Sequence, residues 1–427
     1  MKYLLIILLC IGAVCRAEGV LDPTEKQIVR SVDANQSQAL SLLEKAVNIN
    51  SGTMNFPGVM RVAGLFAKEL ELLGFHPTTV EGHAFGRAGH LVASRGTHGS
   101  RILLIGHLDT VFEPADSFQT FERIDERYAR GPGVTDMKGG DVVLIYALRA
   151  LYEAGVLDEL QIRVVMTGDE ESRGKPHAIA NKALIDAAIW ADYAIGFEDG
   201  DGNPETAVVS RRGASGWQLE VSGRPAHSSQ IFQEEVGYGA VFEAARILDQ
   251  FRTVLAGVPN LTFNPGMIAG GTELNHEAAD SRATAFGKSN VVAKTVVVTG
   301  GIRALSPAQL QMAQETMQDI VAANLAHTQA RLVFDDGYPP MSPSAGNSEL
   351  LRRYSDVSVA LGLGPVRAVD PRRAGAADIS FVAGHVKMAI DGLGLMGSGG
   401  HTVNETADLY TLPSQTKRAA LLMYRLR

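Results

Sequence analysis

The stretch Arg101-Ile-Leu-Leu-Ile-Gly-His107-Leu-Asp109-Thr-Val111 constrains this chain more than any other. A short run of branched apolar residues reads as a strand buried on both faces. The run stops on His107 and Asp109, and alternation along a strand puts positions i and i+2 on one face. In open α/β sheets, ligands sit just beyond the carboxyl ends of the strands. A neutral imidazole there is a good metal ligand, and a carboxylate beside it can orient the ring and raise its basicity. Alone, such a pair would serve equally well to cap a turn, so the weight falls on whether other segments send ligands to the same place.

They do. Helical periodicity covers Asp22 to Gly74, followed by strand-like runs at His90 to Ser94 and Arg101 to Gly106. A polar loop, Glu113 to Arg130, leads into Gly131-Pro-Gly-Val-Thr-Asp136-Met-Lys-Gly-Gly140 and an apolar helix from Val142 to Ala154. Strands at Leu160 to Met166 and Ala191 to Phe197 end on Thr167-Gly-Asp-Glu170-Glu171-Ser172 and on Glu198-Asp199-Gly200. Strands alternating with helices predict an α/β fold, with a largely parallel sheet flanked by helices. After Arg212 the rhythm changes to strand, helix, strand, strand, helix, strand. That order predicts an inserted α+β domain of ferredoxin-like arrangement over 213–336. Tyr338-Pro-Pro-Met-Ser-Pro343 marks the return, so 18–212 and 337–427 form one domain around the insert.

Five segments therefore end in metal-binding side chains: His107, Asp136, Glu171 beside Glu170, Glu198, and His401 in Gly399-Gly-His-Thr-Val-Asn404-Glu405. Two imidazoles and three carboxylates suit a pair of borderline-soft divalent ions such as zinc. Two ions roughly 3.5–4 Å apart need a bridging group, and a carboxylate has two oxygens to supply. Asp136, before glycines that open a helix, is placed for that. Adjacent residues point in different directions, so one glutamate of the doublet can ligate while the other stays free to move a proton.

These segments carry a resemblance. His107-Leu-Asp-Thr-Val, Gly-Val-Thr-Asp136-Met-Lys-Gly-Gly, Gly-Asp-Glu170-Glu171 and Gly-His401-Thr-Val-Asn-Glu resemble the M20 family of dinuclear zinc peptidases and deacylases, and within it the carboxypeptidase G (glutamate carboxypeptidase) branch. The resemblance implies a zinc-exopeptidase-type fold with two zinc ions per subunit, the inserted domain serving for dimerisation. It implies Asp136 as the bridge, His107 and Glu198 completing one site, and Glu171 and His401 the other. Glu170 would be the general base and Asp109 the catalytic carboxylate behind His107, with a cis peptide at Asp136-Met137. Ser222-Gly-Arg-Pro-Ala-His227-Ser-Ser229 resembles a motif whose His reaches the partner subunit's active site and holds the oxyanion; read from the residues alone, His227 is a surface histidine on a hairpin. Asn290 and Arg303 match positions that contact a substrate carboxylate. An Arg fork bonds a carboxylate bidentately, although an Arg ending a strand also suits an ion pair. The chain departs from the family at Gly301, where an acidic residue is usual, and at Glu273 to Lys288, which is longer.

The expected reaction is hydrolysis of the amide bond before a C-terminal amino acid, with glutamate as the expected product. A water between two such ions has its pKa lowered toward neutrality. Glu170 would take its proton and return it to the leaving amine. An N-acyl-amino-acid deacylase or dipeptidase would use the same residues, so small peptides and N-acyl amino acids are both expected substrates. A binding protein that kept the fold would not need Glu170, and no Gly-x-Gly-x-x-Gly turn of a dinucleotide enzyme follows the first strand.

Composition matters at the edges of this reading. The formal net charge of −8 disfavours nucleic acid or an anionic membrane as partner. Met1-Lys2, the apolar run Tyr3 to Val14 and the small Ala17 read as a secretory signal over 1–17. Both cysteines, Cys10 and Cys15, lie in it, so the mature chain is expected to be secreted or periplasmic without a disulfide, and off the membrane. Asp378 reads as structural support, Arg372-Arg373 as a solvated pair or a lure for an anionic substrate. His83, His90 and His98 read as solvated side chains.

Overall fold

In the computed structural model, residues 21–277 and 281–427 are described. The segment read as a signal peptide lies outside them. A six-stranded sheet runs His76–Glu81, Gly89–Arg95, Gln161–Thr167, Arg101–His107, Tyr193–Gly196, Met388–Ile390 in spatial order. The last four strands are mutually parallel, and the first two are antiparallel additions at one edge. Arg101–His107 sits between two parallel neighbours and is buried from Ile102 onward, which is why its sequence is a continuous apolar run. The register sets His107 beside Thr167 and Ile105 beside Gly196. Three adjacent strands thus stop at one level, and the loops that follow them carry Asp109, the Glu170-Glu171 doublet and Glu198.

The helix Lys138–Glu153 is buried along most of its length, pressed between this sheet and the terminal helices Pro23–Ala34 and Thr411–Arg425. Two glycines in its first turn allow that approach. A Cβ on Gly140 would lie 1.9 Å from the Phe197 carbonyl oxygen, and one on Gly139 2.3 Å from that of Val134. The Met-Lys-Gly-Gly sequence therefore sets how closely the turn bearing Asp136 is drawn to the strand ends. Glu113 to Arg130 is not wholly loop: Glu122–Arg123 and Tyr128–Arg130 join Gly397–Ser398 and Thr406–Asp408 in a small four-stranded sheet. Its turn between the last two strands carries His401, at φ +62°.

Between Ser215 and Phe334 the chain builds a second sheet, in the order Thr262–Gly271, Thr295–Arg303, Ser215–Gly223, Thr328–Phe334, every pair antiparallel. Gly239–Leu255 and Pro307–Ala322 are its crossover helices, giving the ferredoxin-like order. Its own core gathers Trp217, Leu219, Val221, Ile247, Phe251, Val298 and Met317. The longer segment after Gly271 is a hairpin, Glu273–Glu277 with Arg282–Phe286. Among the described residues no helix is long and apolar enough to cross a membrane.

Candidate metal centre

Side chains from five loops converge above the strand ends. His107 Nε2 lies 3.0 Å from Asp136 Oδ1 and 3.7 Å from Glu198 Oε1. His401 Nε2 lies 3.0 Å from Asp136 Oδ2 and 3.1 Å from Glu171 Oε2. Two groups of three donors result, His107–Asp136–Glu198 and Asp136–Glu171–His401, each with its donor atoms within 4.8 Å of one another. Asp136 belongs to both and directs one oxygen into each. Ligands about 2.0–2.2 Å from a tetrahedral ion stand roughly 3.4 Å apart, which is the spacing found here. Glu171 Oε1 is buried and makes no hydrogen bond, the kind of orphaned oxygen a cation would satisfy. The donor set fits two divalent ions.

The electrostatics point the same way. Burial lifts Glu171 to about 8 and Glu198 well above the carboxylate range, with the charge of Asp136 adding to both. Hydrogen bonds from its ring N–H to the Asp136 and Glu171 carboxylates raise the His401 imidazole to about 11. Burial alone would lower His107, but the Asp109 and Asp136 carboxylates together raise it well above its ordinary value. Asp136 is held low by the two imidazoles despite its burial. Crowded carboxylates with few counter-charges are what a pair of dications would neutralise.

Asp109 is fully buried behind His107. His107 Nδ1 is 3.0 Å from the backbone oxygen of Asp109 and 3.5 Å from its carboxylate. The carboxylate also accepts from Thr53 Oγ1 at 2.6 Å and from the N–H groups of Glu170 and Glu171 at 3.1 and 3.2 Å. It thereby fixes the backbone of the doublet. The Glu170 carboxylate makes no hydrogen bond or ion pair among the described residues, and burial raises it from its ordinary value. The Asp136–Met137 peptide is cis.

Two supporting residues escaped the sequence reading. Glu405, fully buried, accepts from the N–H groups of Gly133, Thr135 and Asp136 at 2.9, 2.9 and 3.1 Å. It holds the turn that carries Asp136; its only signal was its place at the end of the Gly-His401 motif. His90, read as solvated, is buried instead. It stacks on Phe85, its Nε2 meets the Ala180 carbonyl at 2.9 Å, and Gly168 N–H donates to its Nδ1 at 3.2 Å. It stood in a strand whose inward face only the assembled sheet reveals. Asp378 pairs with Arg173 beneath the Glu170 loop, as support. Arg372 and Arg373 pair at the surface with Asp370 and Asp201.

The candidates on the inserted unit are not brought to this cluster. His227 bonds Ser229 Oγ at 2.8 Å and pairs across a bridge with Val291, and Ser228 N–H donates to the Asn290 carbonyl at 2.9 Å. His227 and Asn290 therefore neighbour each other. Arg303 ends the strand that begins at Thr295, roughly 26 Å further along at the rise of an extended strand.

Parallel strands whose carboxyl ends hold two donor groups sharing one carboxylate define a candidate dinuclear metal centre of a metal-dependent hydrolase. The chain belongs to Peptidase family M20/M25/M40, whose profile matches residues 103–425. It is 26% identical to carboxypeptidase G2 of Pseudomonas sp. (strain RS-16) over 397 residues, 91% of this chain and 89% of that one. It is 28% identical to acetylornithine deacetylase of Pasteurella multocida over 229 residues, 50% of this chain and 57% of that one. Among solved structures, aminopeptidase PepT of Bacillus cereus superposes with a TM-score of 0.73 at 20% identity, covering 92% of this chain and 99% of that one.

Proposed function

We propose that the enzyme hydrolyses the amide bond before a C-terminal amino acid, glutamate being the expected product, with His107, Asp136 and Glu198 holding one zinc ion and Asp136, Glu171 and His401 the other. The observation that carries this is Asp136, whose two oxygens are divided between the two donor groups beside an unbonded Glu170 carboxylate. When bound, the ions supply Lewis acidity and lower the pKa of water toward neutrality. Glu170 takes a proton from water as oxygen joins the amide carbon. It delivers that proton to the nitrogen as the carbon–nitrogen bond breaks, so it ends as it began. The bonds from Asp109 to the peptides of Glu170 and Glu171 keep base and ligand apart.

Two guanidiniums support an acidic leaving group. Arg212 Nη1 donates to Thr262 Oγ1 at 2.8 Å, and Thr262 is the cross-strand partner of Arg303. Neither Arg makes an ion pair among the described residues, and Thr262 and Arg303 line a pocket of about 380 Å³. Arg212 feels the like charge of Arg303, and guanidiniums set together suit an anion. The 26% identity to carboxypeptidase G2 over most of both chains agrees with this reading. Deacylation of N-acyl amino acids is the second reading, favoured by the match to acetylornithine deacetylase. Release of amino acid from N-benzoyl-glutamate, N-acetyl-glutamate, N-acetyl-leucine and Ala-Glu, with and without chelator, separates them. Hydrolysis of the benzoyl conjugate, abolished by chelator and restored by zinc, is expected. Failure on every acyl-glutamate would sink the carboxypeptidase reading.

The inserted unit is proposed to dimerise. Thr262–Gly271 is an edge strand, and beside it Ile268, Val254 and Val241 are 60%, 54% and 52% exposed. A groove of about 550 Å³ lined by Trp217, Leu248, Phe251, Leu261 and Phe263 runs between this strand and the helix Gly239–Leu255. A second copy meeting it edge to edge would pair the strand and cover the apolar side chains. It would also let His227 and Asn290 of one chain serve the other's site. Light scattering is expected to read twice the chain mass, and Ile268→Asp to halve it. A wild-type monomer at micromolar concentration would end the proposal.

A further inference from the structure

The two chains that connect the units form a narrow ribbon. Arg211 and Met341 exchange backbone hydrogen bonds at 3.0 Å in both directions. Ala214 and Tyr338 do the same at 3.0 and 2.9 Å. The Tyr338 side chain leaves this ribbon toward the catalytic loop, and its hydroxyl donates to the Glu170 carbonyl at 2.6 Å. Arg173 Nη2 donates to the same hydroxyl oxygen at 3.0 Å, which leaves the tyrosine proton directed at Glu170. Burial keeps that proton on, raising the phenol well above its ordinary range.

Arg173 is itself fixed. Its side chain is 4% exposed, Nη1 donates to Asp169 Oδ1 at 2.6 Å, and Nη2 also meets Asp378. Asp169 in turn accepts from Gly174 N–H at 2.9 Å, and Asp378 accepts from Thr167 Oγ1 at 2.5 Å. The loop from Thr167 to Gly174 thus folds around its own arginine, and Tyr338 joins it from the ribbon. The Tyr338 ring is seated on Phe381 with centroids 4.9 Å apart. The Glu170 segment is held from two sides, by Asp109 through its N–H and by Tyr338 through its C=O.

We propose that Tyr338 is a positioning residue that ties the connecting ribbon to the Glu170 peptide, so that the placement of the inserted unit is transmitted to the general base. This rests on reading Glu170 as that base. Because the Glu170 carboxylate has no hydrogen bond or ion pair among the described residues, its aim depends on how its backbone is held. A displacement of about 1 Å at a reacting group can cost on the order of 10²-fold in rate.

The test is Tyr338→Phe in the full-length, zinc-loaded enzyme. The variant is expected to lose about 10- to 100-fold in kcat, with KM, metal content and melting temperature unchanged. Exchange of the Glu170 and Glu171 amide protons is expected to quicken. Phe381→Leu, which loosens the packing and keeps the hydroxyl, is expected to hold kcat. An unchanged kcat in Tyr338→Phe, a loss accompanied by loss of metal, or an equal loss in Phe381→Leu would each overturn the proposal. If the wild-type enzyme cleaves no amide, the functional reading has failed on its own. Amide exchange then decides here: faster exchange in Tyr338→Phe supports the tie, and unchanged exchange removes it.

Discussion

Glu170→Ala is expected to keep its metal and its fold while losing about 10²–10⁴-fold in kcat, the range a positioned general base contributes. The contacts that hold this residue are all backbone contacts: its N–H donates to Asp109 and its C=O accepts from Tyr338. Truncating the side chain leaves both in place, and no ligand is removed from either donor group. KM should change little, because proton transfer belongs to the transition state rather than to substrate binding. Glu170→Gln, which keeps the shape but cannot accept the proton, should fail as badly. The neighbouring change, Glu171→Ala, should behave differently by lowering bound metal. Steady-state kinetics with metal analysis distinguishes the two, and near-normal turnover in Glu170→Ala would remove the base from the mechanism.

Asp136→Asn is expected to be more damaging still, since one carboxylate supplies an oxygen to both groups. The amide keeps the volume but offers one weak acceptor in place of two anionic ones. Bound metal should fall at both positions, and turnover by more than about 10³-fold. The same carboxylate governs the pH dependence of loading. Hydrogen bonds to the Asp136 and Glu171 carboxylates lift His401 to about 11, and His107 is raised by Asp109 and Asp136 against its burial. Carboxylate neighbours that raise both imidazoles favour their protonated forms, and a cation must displace those protons. Lower pH strengthens that competition, so zinc affinity should fall as pH falls, and loading should release protons. Calorimetry in buffers of different ionisation enthalpy reads that release directly. Loading at pH 7 without it would contradict the arrangement, and full metal in Asp136→Asn would rule out the bridge.

Much of this site was legible in the chain because its groups stand at places that local rules define. A buried parallel strand must be apolar throughout, so the first polar residue after it, His107, marks the strand end. Thr167-Gly and Gly131-Pro-Gly mark turns in the same way, and Asp136 and the glutamate doublet follow them. His90 shows where that logic stops. A histidine at the start of a strand next to loops looks solvated until the helical turn His177–Ala180 and Phe85 close over it. Asp109 shows a second limit: its neighbour in sequence is His107, but the shortest bonds of its carboxylate go to Thr53, Glu170 and Glu171, 56 to 62 residues away.

The chain by itself determined which residue types end each strand, the change from parallel α/β to a ferredoxin-like insert, and so the identity of the donors. Those are consequences of hydrophobic period and turn chemistry, which act between residues near in sequence. The folded arrangement alone decided that Glu405 and Asp109 clamp the backbone beneath the donors, and that Tyr338 reaches Glu170 while His227 does not. These depend on strand order and register, which bring together groups far apart in the chain through packing that no local pattern encodes.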